Sequence, residues 1–203
     1  MSGSNPGQEL KARLSEGAIK PIEIARFLDA LQPSERLDAT RSVGRKEQQA
    51  LYQAVDRFAP VRLVEIVGPG TPDNGTVRHY GKNTLPAFSE FEKRFTRPPG
   101  QDASAPTELH GFNFQTMAPI TGPGYFVAVE DADREEVLVD YRRVPTTHPA
   151  GWPDIKPNEK GLSRFVYGFM VDTLRRVSEH VTIGSAARKG KDMGSWFILC
   201  RES

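Results

Sequence analysis

Residues 161–203 have the sequence GLSRFVYGFMVDTLRRVSEHVTIGSAARKGKDMGSWFILCRES, which carries the clearest structural signals in the chain. The first half places seven apolar residues at the spacing of an amphipathic helix, which predicts one long helix over residues 161–180. These residues are Leu162, Phe165, Val166, Phe169, Met170, Leu174 and Val177. HVTIGSAA and SWFILCRE then predict two strands joined by a turn. The stretch therefore predicts a long helix packed on a sheet to which this hairpin belongs.

The composition is that of an ordinary folded protein rather than that of a nucleic-acid binder. Hydrophobic residues make up 37% of the 203 positions and charged residues 26%, which is sufficient for a core. The 27 Lys and Arg side chains nearly balance the 26 Asp and Glu side chains. Proteins that bind nucleic acid usually carry a basic excess or a basic stripe. We therefore expect a soluble protein that does not bind nucleic acid.

Apolar runs, the N-terminal sequence and the cysteine count predict where the protein resides. WFILC and YFVAV have the length of a strand and fall far short of the roughly 20 residues of a transmembrane helix. The opening MSGSNPGQELKARLSEG has no apolar signal-peptide core. Cys200 is the single cysteine, so neither an internal disulfide nor a cysteine-based zinc site is expected. These features predict no transmembrane segment and a cytoplasmic location.

The first 60 residues have the spacing of several short amphipathic helices. PIEIARFLDAL and RKEQQALYQAVDRF each place apolar residues on one face, and QPSERLDATRSV offers Ser34 as the N-cap of a third helix. Short amphipathic helices are stable only when their apolar faces are buried. We therefore expect residues 1–60 to form a helical segment packed on a main domain of residues 61–203. A free-standing adaptor domain is the alternative.

From Val61 onward the sequence changes to strand and turn patterns. VRLVEIV, TVRHYG, ELHGFNFQT, GYFVAVED and EVLVDYRRV predict strands. LPAFSEFEKRF instead spaces Leu85, Phe88, Phe91 and Phe95 as on a short helix. PTTHPAGWPDIKPN carries four prolines in 14 residues, which predicts an irregular loop or a lid.

The order of these elements predicts the fold class. After residue 75 the pattern is strand, helix, strand, strand, followed by the same order again, which indicates two βαββ units. The predicted fold is α+β: an antiparallel sheet of duplicated βαββ units, with the long helix packed on it and an N-terminal helical layer. This order resembles the topology of the SOUL and GyrI-like ligand binders, and the resemblance implies a small-molecule cleft between the halves. A helix-grip fold, in which a curved sheet wraps one long helix, is the alternative.

The candidate site is an apolar cavity between the sheet and the helix of residues 161–180. Strand GYFVAVE is apolar on both faces, so one face either fills a core or lines a cavity. We expect a small apolar or amphipathic molecule there, with no particular cofactor indicated. His79 and Arg142 would orient its polar end, and Trp152 in the Pro145–Pro157 segment would close on it as a lid. The aromatic lining consists of Phe112, Phe114, Tyr125, Tyr141, Phe165 and Phe169.

Two other functions remain open. An enzyme of the lyase, isomerase or hydrolase kind would use His79 or His110 as general base, with Asp140 as the orienting carboxylate. A protein-interaction module would bind a protein partner through the helices of residues 1–60. The sequence contains no phosphate-binding loop, nucleophile elbow or metal-ligating histidine spacing, so it assigns neither a metal site nor a catalytic residue.

Overall fold

The structure is a computed structural model that describes residues 5–15, 17–86, 89–115, 122–159, 161 and 163–202. Within these residues the chain forms a closed barrel of eight antiparallel strands, in which each strand pairs with the next and the last pairs with the first. The strands are β1 (Val77–Asn83), β2 (Glu90–Thr96), β3 (Leu109–Phe114), β4 (Tyr125–Asp131), β5 (Glu136–Asp140), β6 (Met170–Arg176), β7 (Val181–Arg188) and β8 (Lys191–Arg201). Closure removes the exposed edges that an open sheet would have.

Six short helices accompany the barrel in the described part of the chain. They are α1 (Pro6–Ser15), α2 (Pro21–Ala30), α3 (Pro33–Ser42), α4 (Arg45–Ala54), α5 (Leu63–Ile66) and α6 (Ser163–Val166). The helices predicted in PIEIARFLDAL and RKEQQALYQAVDRF are confirmed as α2 and α4. The prediction of Ser34 as an N-cap is wrong, because α3 begins at Pro33 and its N-cap is Gln32. The Glu35 carboxylate accepts the Gln32 N–H at 3.1 Å, which fixes this start.

The two ends of the barrel are built differently. At the end where β1 begins, here called the closed end, α5 contributes Leu63 and Ile66 to the apolar interior. Glu130, near the end of β4, accepts the Leu63 N–H at 2.9 Å and pairs with Arg62 at 3.0 Å. These contacts hold α5 at the closed end. The opposite end, where β1 finishes at Asn83, is called the open end.

Aromatic rings fill much of the barrel interior because glycines at the paired positions of the neighbouring strands leave room for them. A Cβ atom at Gly111 would overlap the Phe126 ring, and a Cβ atom at Gly184 would overlap the Phe197 ring. Phe95 packs edge-to-face on Phe126, with 5.2 Å between the ring centroids. Phe95 and Phe126 join Leu63 and Ile66 of α5 in one apolar cluster, so the interior near the closed end is a filled core.

The N-terminal helices pack on the outer face of β7 and β8. Leu28 of α2 and Leu51 of α4 join Ile183 and Ile198 in one buried apolar cluster. This packing supplies the burial that helices of ten residues need for stability. Across the described ranges, no helix is both long enough and apolar enough to cross a membrane.

The predicted α+β fold is wrong, because the described residues from 163 to 180 do not form a long helix. They form the four-residue helix α6 and then strand β6, which pairs with β5 and β7. Met170, Asp172 and Leu174 face the barrel interior, so their burial follows the period of a strand. Leu162, the first residue of the predicted apolar face, lies outside the described residues. Without the long helix, the duplicated βαββ units, their cleft and the helix-grip alternative are also excluded.

Two shorter segments differ from the prediction as well. LPAFSEFEKRF, predicted as a helix, contains strand β2, in which Lys93 and Phe95 share the inner face; Phe88 lies outside the described residues. VRLVEIV, predicted as a strand, contains α5, because the Glu65 carboxylate accepts the Arg62 N–H at 2.9 Å and caps a helical turn. The strands predicted in TVRHYG, ELHGFNFQT, GYFVAVED, EVLVDYRRV, HVTIGSAA and SWFILCRE are confirmed as β1, β3, β4, β5, β7 and β8.

Candidate functional site

A cavity of about 340 Å³ lies inside the barrel at the open end. This volume is within the usual range of small-molecule pockets, roughly 300–1,000 Å³. The surrounding side chains form a polar floor, an apolar wall and a rim. The floor consists of Lys93, Asn113, Tyr141 and Asp172; the wall includes Phe91, Val166, Tyr167, Met170, Ala186 and Phe197; the rim includes Leu85, Phe165, Arg188, Met193 and Trp196.

The floor is a hydrogen-bonded network of four side chains, none of them more than 4% exposed. Lys93 Nζ donates to Asp172 Oδ2 at 3.0 Å and to Asn113 Oδ1 at 3.1 Å. A third hydrogen bond from Lys93 Nζ goes to the Tyr141 hydroxyl. The Asn113 amide donates to the Tyr141 oxygen at 2.9 Å, and this hydroxyl donates to Asp172 Oδ2 at 3.2 Å. The three N–H groups of the Lys93 ammonium are therefore all used within the protein.

Strand alternation and barrel closure bring the floor residues together. Lys93 on β2 is the register partner of Asn113 on β3, so both side chains share the inner face. Asp172 reaches Lys93 from β6, 79 positions away in the sequence. Strands β2 and β6 are not neighbours in the barrel. The Lys93–Asp172 ion pair therefore forms across the interior and depends on the closed barrel.

The Lys93–Asp172 ion pair lies within a cage of aromatic rings. The ring centroids of Phe126 and Phe197 are 5.2 and 4.9 Å from Lys93 Nζ, which favours a cation at this position. Burial lowers the pKa of the Lys93 ammonium, and the adjacent Asp172 carboxylate opposes this change. Burial also raises the pKa of Tyr141 well above its usual value, so its hydroxyl keeps its proton at neutral pH. The floor thus holds the Lys93–Asp172 ion pair and one neutral hydroxyl.

Two polar atoms beside the cavity lack a hydrogen-bond partner among the described residues. Asp172 Oδ1 is buried and accepts no hydrogen bond, and Arg188 Nε is buried and donates none. The Nη2 group of Arg188 is occupied, since it donates to the carbonyl oxygens of Phe165 at 2.8 Å and Val166 at 3.0 Å. A buried polar atom without a partner costs about 1–3 kcal/mol, and more when it is charged. Both atoms lie just below the accessible surface, so a molecule that supplies the missing partners after a small rotation of these side chains would bind favourably here.

The rim of the cavity exposes large apolar side chains. Phe165 is 73% exposed, Leu85 51% and Met193 43%. The described part of the chain exposes five large hydrophobic side chains, and these three lie at the rim. Apolar surface gathered at one place is typical of a contact with a ligand or a partner. The mouth of the cavity therefore suits a molecule with an apolar body.

The predicted ligand-binding residues lie at several separate places. Tyr141 and Phe165 belong to the cavity, on its floor and on its rim. Phe112, Phe114 and Trp152 instead border a groove of about 660 Å³ on the outer face of the barrel. The structure therefore brings two of the predicted residues to the interior cavity and three to this outer groove.

The proline-rich segment, predicted as a rim or lid, lies on the outer face of β3 and β4. Tyr125 donates to the Pro153 carbonyl oxygen at 2.5 Å, and its ring centroid lies 6.2 Å from that of Trp152. Trp152 Nε1 donates to Thr76 Oγ1 at 2.8 Å. Tyr125 therefore packs beside the outer groove and anchors the segment to the outside of the barrel.

Three predicted residues, His79, Arg142 and Phe169, lie neither in the interior cavity nor in the outer groove. His79 is buried at the closed end, where its Nε2 lies 3.0 Å from a carbonyl oxygen of α5, and burial lowers its pKa to about 4. Arg142 is exposed and pairs with Asp140 at 2.8 Å. Phe169 is half-buried, with Lys189 Nζ 4.9 Å from its ring centroid. These three side chains do not line the interior cavity.

The predicted catalytic pair consists of His79 or His110 with Asp140. Among the described residues, no hydrogen bond joins either histidine to Asp140. Asp140 accepts hydrogen bonds from the Arg142 backbone at 2.9 Å and from its guanidinium at 2.8 Å. His110 pairs with Glu108 at 3.0 Å instead. The described ranges also contain no group of three or more His, Cys, Asp or Glu side chains that could hold a metal ion.

Sequence reasoning missed the residues that make the cavity polar, namely Lys93, Asn113, Asp172 and Arg188. One signal was present, because Lys93 stands between Phe91 and Phe95 at the period of a strand. A charge at an inward position of an alternating pattern indicates a buried partner.

Comparison of the chain with protein-family models, with curated proteins and with solved structures gives no match. The geometry and chemistry of the barrel are therefore the indicators of its function.

Proposed function

We propose that the protein binds a small, partly apolar molecule inside the open end of the barrel. The observation that carries this proposal is a buried ion pair at the floor of a largely apolar cavity of about 340 Å³. Apolar side chains in place of a buried ion pair often give equal or greater stability. A charged pair beside unfilled volume is therefore better explained by binding, in which a few polar groups orient a ligand that apolar walls enclose.

The interior cavity supports this proposal better than the outer groove does. The groove is bordered by Phe114, which is 47% exposed, and by Arg94, whose guanidinium stacks 4.0 Å from the Phe114 ring centroid. Arg94 also pairs with Glu92 at 2.8 Å, so its charge is already compensated. The floor of the cavity, in contrast, is shielded from water, which strengthens each polar contact with a ligand.

Native mass spectrometry of the purified protein, followed by denaturation and identification of released molecules, tests the proposal. We expect one molecule per chain, with an apolar body that fits the cavity. Release of no molecule, together with no binding in a screen of aromatic and aliphatic compounds, would contradict the proposed function.

A cavity-filling variant locates the bound molecule. Ala186 lies in the wall of the cavity, so the larger side chain of Ala186→Phe would occupy the volume that the ligand needs. Ala105→Phe is a matched control, because Ala105 is exposed in the loop before β3, at the closed end. We expect Ala186→Phe to lose the molecule and Ala105→Phe to keep it. Retention of the molecule by a folded Ala186→Phe variant would place the ligand elsewhere.

A further inference from the structure

We infer that the ligand is an amphipathic molecule with a hydroxyl or N–H donor at its buried end and a carboxylate or similar oxygen acceptor at its outer end. The inference rests on the proposed function, because it assigns the chemistry of the molecule bound in the same cavity. It follows from the two buried atoms that lack a partner among the described residues, Asp172 Oδ1 and Arg188 Nε.

The buried end of the ligand has to donate a hydrogen bond. The ammonium of Lys93 has three N–H groups, which already contact Asp172, Asn113 and Tyr141. Lys93 therefore has no donor left for an oxygen atom of the ligand. The carboxylate of Asp172 uses Oδ2 for Lys93, whereas its Oδ1 accepts no hydrogen bond from the described residues. An ionised carboxylate only accepts hydrogen bonds, so a donor on the ligand is the group that completes the floor.

The same floor disfavours a molecule that enters with an acceptor first. A ligand carbonyl or carboxylate at this depth would face Asp172 Oδ1, and neither group would supply a hydrogen atom. A ligand carboxylate would add repulsion between like charges in a site shielded from water. The cavity is therefore unsuited to a fatty acid that inserts its carboxylate.

The outer end of the ligand has to accept a hydrogen bond. Arg188 is the last residue of β7. It lies two residues beyond Ala186, and Ala186 is the register partner of Asp172 on β6. The Cα atoms of diagonal neighbours of this kind lie about 7–8 Å apart, so the two side chains are close enough for one small molecule to contact both. The hydrogen bonds of Arg188 go to two backbone carbonyls and to the Met170 sulfur, none of which carries a charge. A carboxylate on the ligand would supply both the acceptor for Arg188 Nε and the compensating charge.

Four naphthalene compounds test both ends of the ligand on the unaltered protein. 6-Hydroxy-2-naphthoic acid carries the donor and the carboxylate, 6-methoxy-2-naphthoic acid lacks the donor, 2-naphthol lacks the carboxylate, and 2-methoxynaphthalene lacks both. We expect the hydroxy acid to bind most tightly in isothermal titration calorimetry. Methylation of its hydroxyl should raise Kd by about tenfold to a hundredfold, because Asp172 Oδ1 then stays without a donor. A methoxy acid that binds within about twofold of the hydroxy acid would overturn the inference.

The variant Arg188→Gln tests the outer contact. It should weaken binding of 6-hydroxy-2-naphthoic acid by about tenfold, the effect of one lost charge-assisted hydrogen bond, and leave 2-naphthol unchanged. Arg94→Gln, in the outer groove, is the matched control and should change neither affinity. Equal effects of Arg188→Gln on the two compounds, or no effect on either, would overturn the outer contact.

Failure of the inference is distinguishable from failure of the proposed function. If none of the four compounds binds, the inference is overturned. A bound molecule in the native mass spectrum that Ala186→Phe displaces would then still support the proposed function. If the spectrum shows no bound molecule either, both fail together.

Discussion

The closed and open ends of the barrel use the same strands but fill the interior in opposite ways. At the closed end, Phe95 of β2 and Leu174 of β6 meet Ile66 of α5 in an apolar core. Two residues along each strand, the next inward positions hold Lys93 and Asp172, and the space beside them is a cavity. Strand alternation decides which side chains point inward, whereas the chemistry of those side chains decides whether the interior becomes core or site.

Truncation of one phenylalanine at each end should show the largest difference in stability between the two ends. Phe95 is completely buried at the closed end, so Phe95→Ala should lower the free energy of unfolding by about 3–5 kcal/mol. Phe165 at the rim is 73% exposed, so Phe165→Ala should change the free energy of unfolding by less than about 0.5 kcal/mol. Urea denaturation of both variants measures the difference. Similar losses of stability would mean that the open end is packed as a core.

Removal of one or both charges at the floor tests whether the ion pair serves stability. Lys93→Met leaves the Asp172 carboxylate buried without its cation and should lower the free energy of unfolding by about 3–5 kcal/mol. The double variant Lys93→Met, Asp172→Leu removes both charges and should recover most of this loss. It should nevertheless lose ligand binding. If the double variant is as unstable as Lys93→Met, the ion pair stabilises the fold and its presence is not explained by ligand binding.

The closed end should respond to pH through His79. Burial lowers the pKa of His79 to about 4 in the folded protein, against about 6.5 in the unfolded chain. The unfolded state therefore binds more protons between these pH values, so stability falls as the pH falls from about 6.5 to 4. The loss attributable to His79 is about 3 kcal/mol over this window.

The variant His79→Gln isolates this pH dependence. Urea denaturation at pH 7.5 and at pH 4.5 should show a smaller loss of stability for His79→Gln than for the unaltered protein. Burial also lowers the pKa of His180, but this contribution is present in both proteins and cancels in the comparison. Equal losses in the two proteins would contradict a neutral, buried His79.

The sequence predicts most strands of the barrel but misassigns the two that hold the ion pair. On β2, Phe91, Lys93 and Phe95 follow the two-residue period of a strand. The charge of Lys93 interrupts the apolar pattern, so the apolar residues alone fit the spacing of a helix better than that of a strand. On β6, Asp172 interrupts the pattern between Met170 and Leu174 in the same way. Each charge is tolerated inside because of a partner 79 positions away, which a local pattern does not contain. Errors of this kind are expected where function conflicts with local rules.

The sequence predicts that the aromatic residues of the site line a cavity, because apolar faces usually point inward. On β3 the opposite holds, since Phe112 and Phe114 border the outer groove while Asn113 lines the interior cavity. The outer position of Phe112 is stabilised by Trp152, whose ring centroid lies 4.7 Å away. The sequence indicates that the segment 145–157 is irregular, but it does not indicate which face of the barrel that segment covers.

Methyl NMR tests the central claim most directly, namely that the open end of the barrel is the binding site. Met170 reports on the interior cavity, Ile66 on the closed end and Ile155 on the surroundings of the outer groove. On addition of 6-hydroxy-2-naphthoic acid, ring currents should shift the Met170 methyl signal and leave both isoleucine signals in place. An unchanged Met170 signal, or a larger shift at Ile66 or Ile155, would contradict binding at the open end.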